Sequence, residues 1–370
     1  MCHLGAVLFF AQYLKGVIMK NKKQEICLDC NDSFESNSND SCRQHELNRR
    51  EFLNKMGKAA VVLSALSFVN KVALVYARSS EEPAEVMVRR LYESLSQEQK
   101  KSLLLPWSDA RRLHVNNNWH VVPEKIRNAY SNEQKKIIRE ILKGVTSEEG
   151  YDKTMKAMQD DSGGLENYSA CLFSDGQDKL SFLLTGRHQT LRADGGAEKN
   201  AVFGGPIFYG HAVQFNERPD HPGNVWWHQS RLASKVYHAL DGNQQRIALV
   251  LSGSPADRPS TVNLKGIKGK FAGIPVSELA SDQKELVAQV LKSLLGPYRK
   301  SDVEEVLTAI NANGGLDKLH ISFYKDGDLP DKDGIWDRWK LEGPAFVWYF
   351  RGSPHVHTWI NIAHKAESLA

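Results

Sequence analysis

Tyr168-Ser169-Ala170-Cys171-Leu172-Phe173, then Ser174-Asp175-Gly176-Gln177, then Lys179-Leu180-Ser181-Phe182-Leu183-Leu184 is the stretch that decides the fold. Two short runs rich in apolar and aromatic residues flank a cluster of turn formers, a pattern that predicts a β-hairpin. The second strand is expected to run on through Gly186-Arg187-His188-Gln189-Thr190-Leu191-Arg192.

Upstream, from about Pro83 to Asp161, the pattern is helical. Val88, Leu91 and Leu95 recur at the spacing of one helix face. Three capping-box patterns follow, Ser96 with Gln99, Ser131 with Gln134 and Thr146 with Glu149. Downstream, glycines punctuate the chain between Gly195 and Gly210. An amphipathic helix is expected from about Gln229 to Leu240, stopped at Asp241-Gly242. A helical pair follows over about Val276–Leu295 and Ser301–Asn311. The chain then closes with strands near Leu319–Tyr324, Trp336–Leu341, Ala345–Phe350 and Val356–Ile362. Helices segregated from hairpins predict an α+β fold. In it, a helical N-terminal part packs on a mainly antiparallel sheet that the C-terminal strands complete.

The first 77 of the 370 residues do not share this patterning. Residues 20–48 are polar and rich in Asn, Ser, Asp and Lys, a composition typical of disorder. Asn48-Arg49-Arg50-Glu51-Phe52-Leu53-Asn54-Lys55 then places Arg49, Arg50, Phe52 and Leu53 as in a twin-arginine export signal. The apolar run Met56–Val69 is about 14 residues, short of the roughly 20 that a membrane-spanning helix needs. Val75-Tyr76-Ala77 offers small residues where a signal peptidase cuts. The expectation is a leader over 1–77 and a single domain over 78–370, delivered by the twin-arginine translocase to the periplasm or beyond without a stable membrane anchor. Met19 is an alternative initiator.

Removal of that leader changes what composition implies. Four of five cysteines (Cys2, Cys27, Cys30, Cys42) leave with it, and Cys171 alone excludes an internal disulfide. Residues 78–370 carry 38 Lys+Arg against 37 Asp+Glu. So even a balance excludes a basic nucleic-acid binder.

Histidine is the conspicuous residue, with 11 after position 77. His355-Val356-His357 opens the last strand, where residues two apart share a face, so both imidazoles can reach one metal ion. His188, on the expected middle strand, is the third candidate ligand and His211 an additional one. Three imidazoles would hold copper, zinc or iron and leave a coordination position for water, oxygen or substrate. A second group of residues suits a pocket for a small anionic or sugar-like ligand: Arg187, Arg192, Tyr209, Trp226, Trp227 and Arg351, with Trp348 nearby. In that alternative the histidines only donate hydrogen bonds and the protein is a non-catalytic binder. Nucleophile signals are thin, because Ser252-Gly253-Ser254 does not form a nucleophile elbow. Cys171 lies on a core-facing strand, and Asp194 with Glu342 is one possible acid–base pair.

Taken together, several of these stretches resemble the bacterial domain-of-unknown-function family 3500, over about residues 84–363. They are Thr185-Gly186-Arg187-His188, the glycines from Gly204 to Gly210, Gln244-Gln245-Arg246 and the final His355-Val356-His357. The resemblance implies Gly-His-His in the middle segment, where this chain has Arg187 in place of the first histidine and His188 as the second. The C-terminal pair matches in full. It implies no particular activity, but it favours the same histidines. The expected function is a metal-dependent redox or hydrolytic enzyme acting on a small molecule.

Overall fold

The computed structural model describes residues 84–214, 217, 221–326 and 334–369. The expected leader and its twin-arginine motif lie outside the described residues, as does Asp220.

The N-terminal part is helical, as the periodicity predicts: α1 (Ala84–Ser94), α2 (Gln97–Leu103), α3 (Ile126–Ala129), α4 (Asn132–Val145) and α5 (Glu148–Ser162). Two of the three capping boxes form as expected, with Ser96 and Ser131 accepting from the amides of Gln99 and Gln134. The third starts one residue later. Ser147, not Thr146, caps α5 and accepts from the Gly150 amide, whereas Thr146 Oγ1 turns back to the Leu142 carbonyl. Glycine at the third position has no side chain to reciprocate, so the box pattern misplaces the cap.

The strands are β1 (Leu104–Pro106), β2 (Ser169–Ser174), β3 (Leu180–Gly186), β4 (Gln189–Ala193), β5 (Ile207–His211), β6 (Leu249–Val250), β7 (Ile274–Pro275), β8 (His320–Tyr324), β9 (Arg338–Gly343), β10 (Phe346–Arg351) and β11 (Val356–Ile362). They form one mostly antiparallel sheet in the order β1-β2-β3-β4-β5-β11-β10-β9-β8-β6, with β7 beside β8. The C-terminal strands thus enter the sheet begun at Tyr168 by pairing β11 with β5. The fold is α+β, as expected.

Between β3 and β4 the structure departs from the expected continuous strand. Gly186 pairs with Gln189, so Arg187 and His188 alone make a two-residue turn. His188 has φ 58°, a left-handed conformation that only glycine adopts freely. Period-2 patterning runs unbroken through a tight hairpin, which is why the turn is invisible to it. Gly186 has its own reason: a Cβ there would lie 2.1 Å from the Tyr168 ring.

Four further helices complete the described chain: α6 (His228–Ala239), α7 (Gly242–Ala248), α8 (Ser281–Leu295) and α9 (Lys300–Ala312). Asp241 is not part of a glycine stop for α6. It is the N-cap of α7 and accepts from the Asn243 and Gln244 amides. Alternation then divides the sheet. Phe346, Trp348 and Phe350 of β10 join Val356 and Ile360 of β11 in a core with Val236, Val287, Leu294 and Val306 of the helices. Val347, Tyr349 and Trp359 face the other way, into a smaller cluster with Val115 and Val262. Arg351 and His357 keep that second phase. No helix among the described residues is long and apolar enough to cross a membrane.

Candidate metal centre

Three of the four candidate ligands converge. His188, His355 and His357 each offer a ring nitrogen within 4.8 Å of the others, and their rings are 4.8 Å apart pairwise. Their relative exposures are 5%, 7% and 4%, so a small ligand is all that could reach them. His357 is the second residue of β11 and His355 lies just ahead of that strand, and their rings meet, as a separation of two residues along extended chain allows. Pairing of β11 with β5 sets Gly210 directly opposite His357. A Cβ at 210 would lie 3.2 Å from His188 Cβ and 2.4 Å from the Val356 carbonyl. The missing side chain is therefore the space into which the His188 turn settles. The Gly210 amide also donates to the His188 carbonyl at 2.9 Å.

His211 does not join them. It pairs with Val356 and so takes the opposite face of the sheet. Its Nε2 lies 2.9 Å from Asp160 Oδ2, and its Nδ1 accepts from the Val225 amide at 3.1 Å. Both ring nitrogens are occupied, and the reason is phase: one residue along a strand inverts the face.

Carboxylates orient two of the three rings. His357 Nδ1 lies 2.7 Å from Asp257 Oδ2, and His188 Nδ1 lies 2.9 Å from Asp161 Oδ1. An ionised carboxylate only accepts, so each ring must present Nδ1–H to it, and the neutral ring then carries its lone pair on Nε2. Burial, with the charge of Arg351 adding to it, holds His357 well below the ordinary histidine range despite Asp257. His357 Nε2 is therefore an acceptor, and the 3.0 Å contact between the Nε2 atoms of His355 and His357 is a bond that His355 donates. For a cation to take both Nε2 atoms, His355 would carry its proton on Nδ1 instead.

Asp257 is the hub of this arrangement. It accepts from His357, from Arg351 Nη1 at 3.1 Å, from Asn117 Nδ2 at 3.2 Å and from Trp359 Nε1 at 2.7 Å. Burial alone would raise its carboxyl, yet His357, Arg351 and Trp359 hold it well below the usual carboxylate range. Asp161 also accepts from the Ala212 amide at 3.0 Å.

The donor set fits a transition ion. Two nitrogens bound at 2.0–2.1 Å in tetrahedral geometry stand about 3.3 Å apart, near the 3.0 Å seen for His355 and His357. The widest separation, 4.8 Å, would close by roughly 1.5 Å on binding. Imidazoles fixed by carboxylates are the usual outer partners of such ions.

The residues expected to wall an open ligand pocket lie elsewhere. Trp226, Trp227, Trp348 and Tyr209 are buried in the helix-facing core, where apolar packing accounts for them. Trp227 stacks on His221 at 4.7 Å, and Tyr209 donates to Gln229 Oε1 at 2.7 Å. Tyr209 and Trp226 do border a cavity of about 20 Å³ with Thr154 and Gln189, room for a water and no more. Arg192 donates to the backbone carbonyls of Arg112, His114 and Pro206, and so ties loops to β4. Burial pushes its guanidinium down to about 9, which still leaves it charged at neutral pH. Arg187 is half-buried at the turn, and its carbonyl accepts from Tyr168. Arg187 adjoins His188 in the turn, and Arg351 bonds to Asp257 and to the His355 carbonyl. Asp194 and Glu342 are each used separately. Asp194 caps the Gly196 and Glu198 amides, whereas Glu342 pairs with Lys340 and Lys265. Cys171 is fully buried, and burial raises its thiol, which excludes a reactive thiolate.

Sequence reasoning missed Asp161 and Asp257, and it marked Gly210 only as part of a glycine-rich run. One signal was available: Asp160-Asp161 lies in the last turn of α5, where the helix dipole disfavours acids. Two carboxylates in that unfavourable place imply partners, and the partners are His211 and His188.

Fold and site define an α+β protein with a buried three-histidine centre on one face of an antiparallel sheet. The chain belongs to the family described as protein of unknown function (DUF3500), which matches residues 78–362. No curated protein and no solved structure matches it.

Proposed function

We propose that this is an exported metalloprotein whose His188, His355 and His357 hold one transition ion for redox or hydrolytic work on a small molecule. The observation that carries the proposal is the inward convergence of three buried imidazoles, two of them fixed in the metal-ready tautomer by Asp161 and Asp257. Copper, zinc and iron all suit imidazole donors. A bound ion would supply Lewis acidity or an electron-transfer centre at its open position. The chain's own residues fix the rings, exclude bulk water and limit access to small ligands.

Arg49, Arg50, Phe52 and Leu53 support a twin-arginine route to the periplasm, since export of a folded domain preserves a cofactor loaded beforehand. A reporter fused behind residues 1–77 tests this, and equal export of the Arg49→Lys/Arg50→Lys version would end that part. For the centre itself, the protein is purified without a histidine tag and its metal measured by mass spectrometry. About one ion per chain is expected, with at least a tenfold loss in His355→Ala/His357→Ala. Negligible metal, or equal metal in the variant, overturns the proposal.

A further inference from the structure

A single register row crosses four strands beside the histidines: Arg338 of β9, Arg351 of β10, His357 of β11 and Gly210 of β5. Directly opposed residues share a face, so the two guanidinium groups extend the row that ends at the centre. Arg351 gives Nη1 to Asp257 and Nη2 to the His355 carbonyl at 3.4 Å, which anchors it to the groups that position two of the histidines. Arg338 gives Nη1 to Ser254 Oγ at 2.7 Å. Yet each keeps a buried Nε–H with no acceptor among the described residues. A buried donor left without an acceptor costs about 1–3 kcal/mol, so a ligand that accepts from these two would be stabilised there.

Charge points the same way. Asp161 and Asp257 contribute two negative charges to this cluster, and Arg338 and Arg351 two positive ones. A divalent ion among three neutral imidazoles would leave an excess of positive charge, which Asp326, held by the Ser254 amide beside Arg338, offsets only in part. Such an excess is unfavourable unless an anion joins it. A guanidinium and a metal ion held side by side match an oxyanion, which offers one oxygen to each.

We infer that the open side of the centre takes a small oxyanion, a carboxylate or phosphate group of the substrate, with Arg351 and Arg338 accepting no proton but donating Nε–H to it. This rests on the metal reading above. It is tested on the cobalt-loaded protein by following the visible spectrum while acetate or inorganic phosphate is added at constant ionic strength. The expected result is a saturable spectral change with at least one of the two anions. The apparent Kd should weaken at least tenfold in Arg338→Met and recover in part in Arg338→Lys, with one cobalt per chain throughout. A carboxylate ligand predicts the response to acetate and a phosphate ligand the response to phosphate. Wild-type protein that holds cobalt but responds to neither anion overturns this inference and leaves the metal reading standing. So does equal affinity in a folded Arg338→Met. Failure of the wild type to retain cobalt, together with negligible metal in the protein as purified, overturns both. The wild-type arm decides the matter even if a variant does not fold.

Discussion

Asp257 touches no expected ion, yet it sets what His357 can do. Its carboxylate fixes the Nδ1–H tautomer, and through Arg351, Asn117 and Trp359 it also fixes the ring's position. Asparagine is nearly isosteric, but its oxygen accepts more weakly and its amide can turn a donor towards Nδ1. Asp257→Asn is therefore expected to lose roughly 10–100-fold in metal affinity, the range for outer-shell carboxylates. Competition with a coloured chelator measures this, and an unchanged affinity would remove Asp257 from a positioning role. Gly210 is the complementary case, where a side chain must be absent. Gly210→Ala is expected to cost about 2–4 kcal/mol in urea unfolding, because the added carbon meets backbone as well as His188. Gly242→Ala is the control: nothing lies within 4 Å of its added carbon, so it should stay within about 0.5 kcal/mol of wild type. At this scale the His355/His357 pair was legible from spacing alone. Asp257 was not, since it lies 100 residues from His357 and no local pattern links them.

Helices and hairpins were read from the sequence wherever one periodicity governed them, and misread where a single residue changed its role. The Val356–Ile362 strand has the boundaries its alternation predicts. The β3–β4 turn was missed because a left-handed histidine carries none of the glycine or asparagine signals of a tight hairpin. In α9, helix and charge combine to give a pH dependence. Burial pushes the Asp302 carboxyl up to about 6 although Arg299 Nε lies 2.7 Å away, and the nearby charges of Glu305 and Glu85 add to the rise. The folded value lies above the unfolded value of 3.8, so the folded state binds the extra proton between them. The stability that Asp302 contributes is thus full below about pH 4 and is lost as pH rises through about 6. The loss is on the order of 3 kcal/mol, from roughly two units at 1.36 kcal/mol each. Urea unfolding from pH 4 to 7 should show this fall in wild type relative to Asp302→Asn. Parallel curves would mean that Arg299 fully compensates the burial.

Across the whole molecule, the centre is assembled from segments that meet only when the sheet closes. His188 comes from the β3–β4 turn, His355 from just ahead of β11, His357 from β11, Asp161 from the end of α5 and Asp257 from the segment before β7. The unfolded chain cannot reproduce this convergence, so an ion that binds it favours the folded state by mass action. At a free concentration 100 times Kd the gain is about 2.7 kcal/mol. For a domain of this size, each kcal/mol moves Tm by roughly 2–4 °C, which gives a rise on the order of 5–10 °C. The shift should be reversed by chelation and absent from His355→Ala/His357→Ala, which keeps the same core but lacks two ligands. His211→Ala separates this from any general effect of losing a histidine. It removes a buried partner of Asp160 on the opposite face, so it should lower Tm without metal while keeping the metal-induced rise. If the His211 variant lost the rise and the His355/His357 variant kept it, the ion would sit on the other face of the sheet.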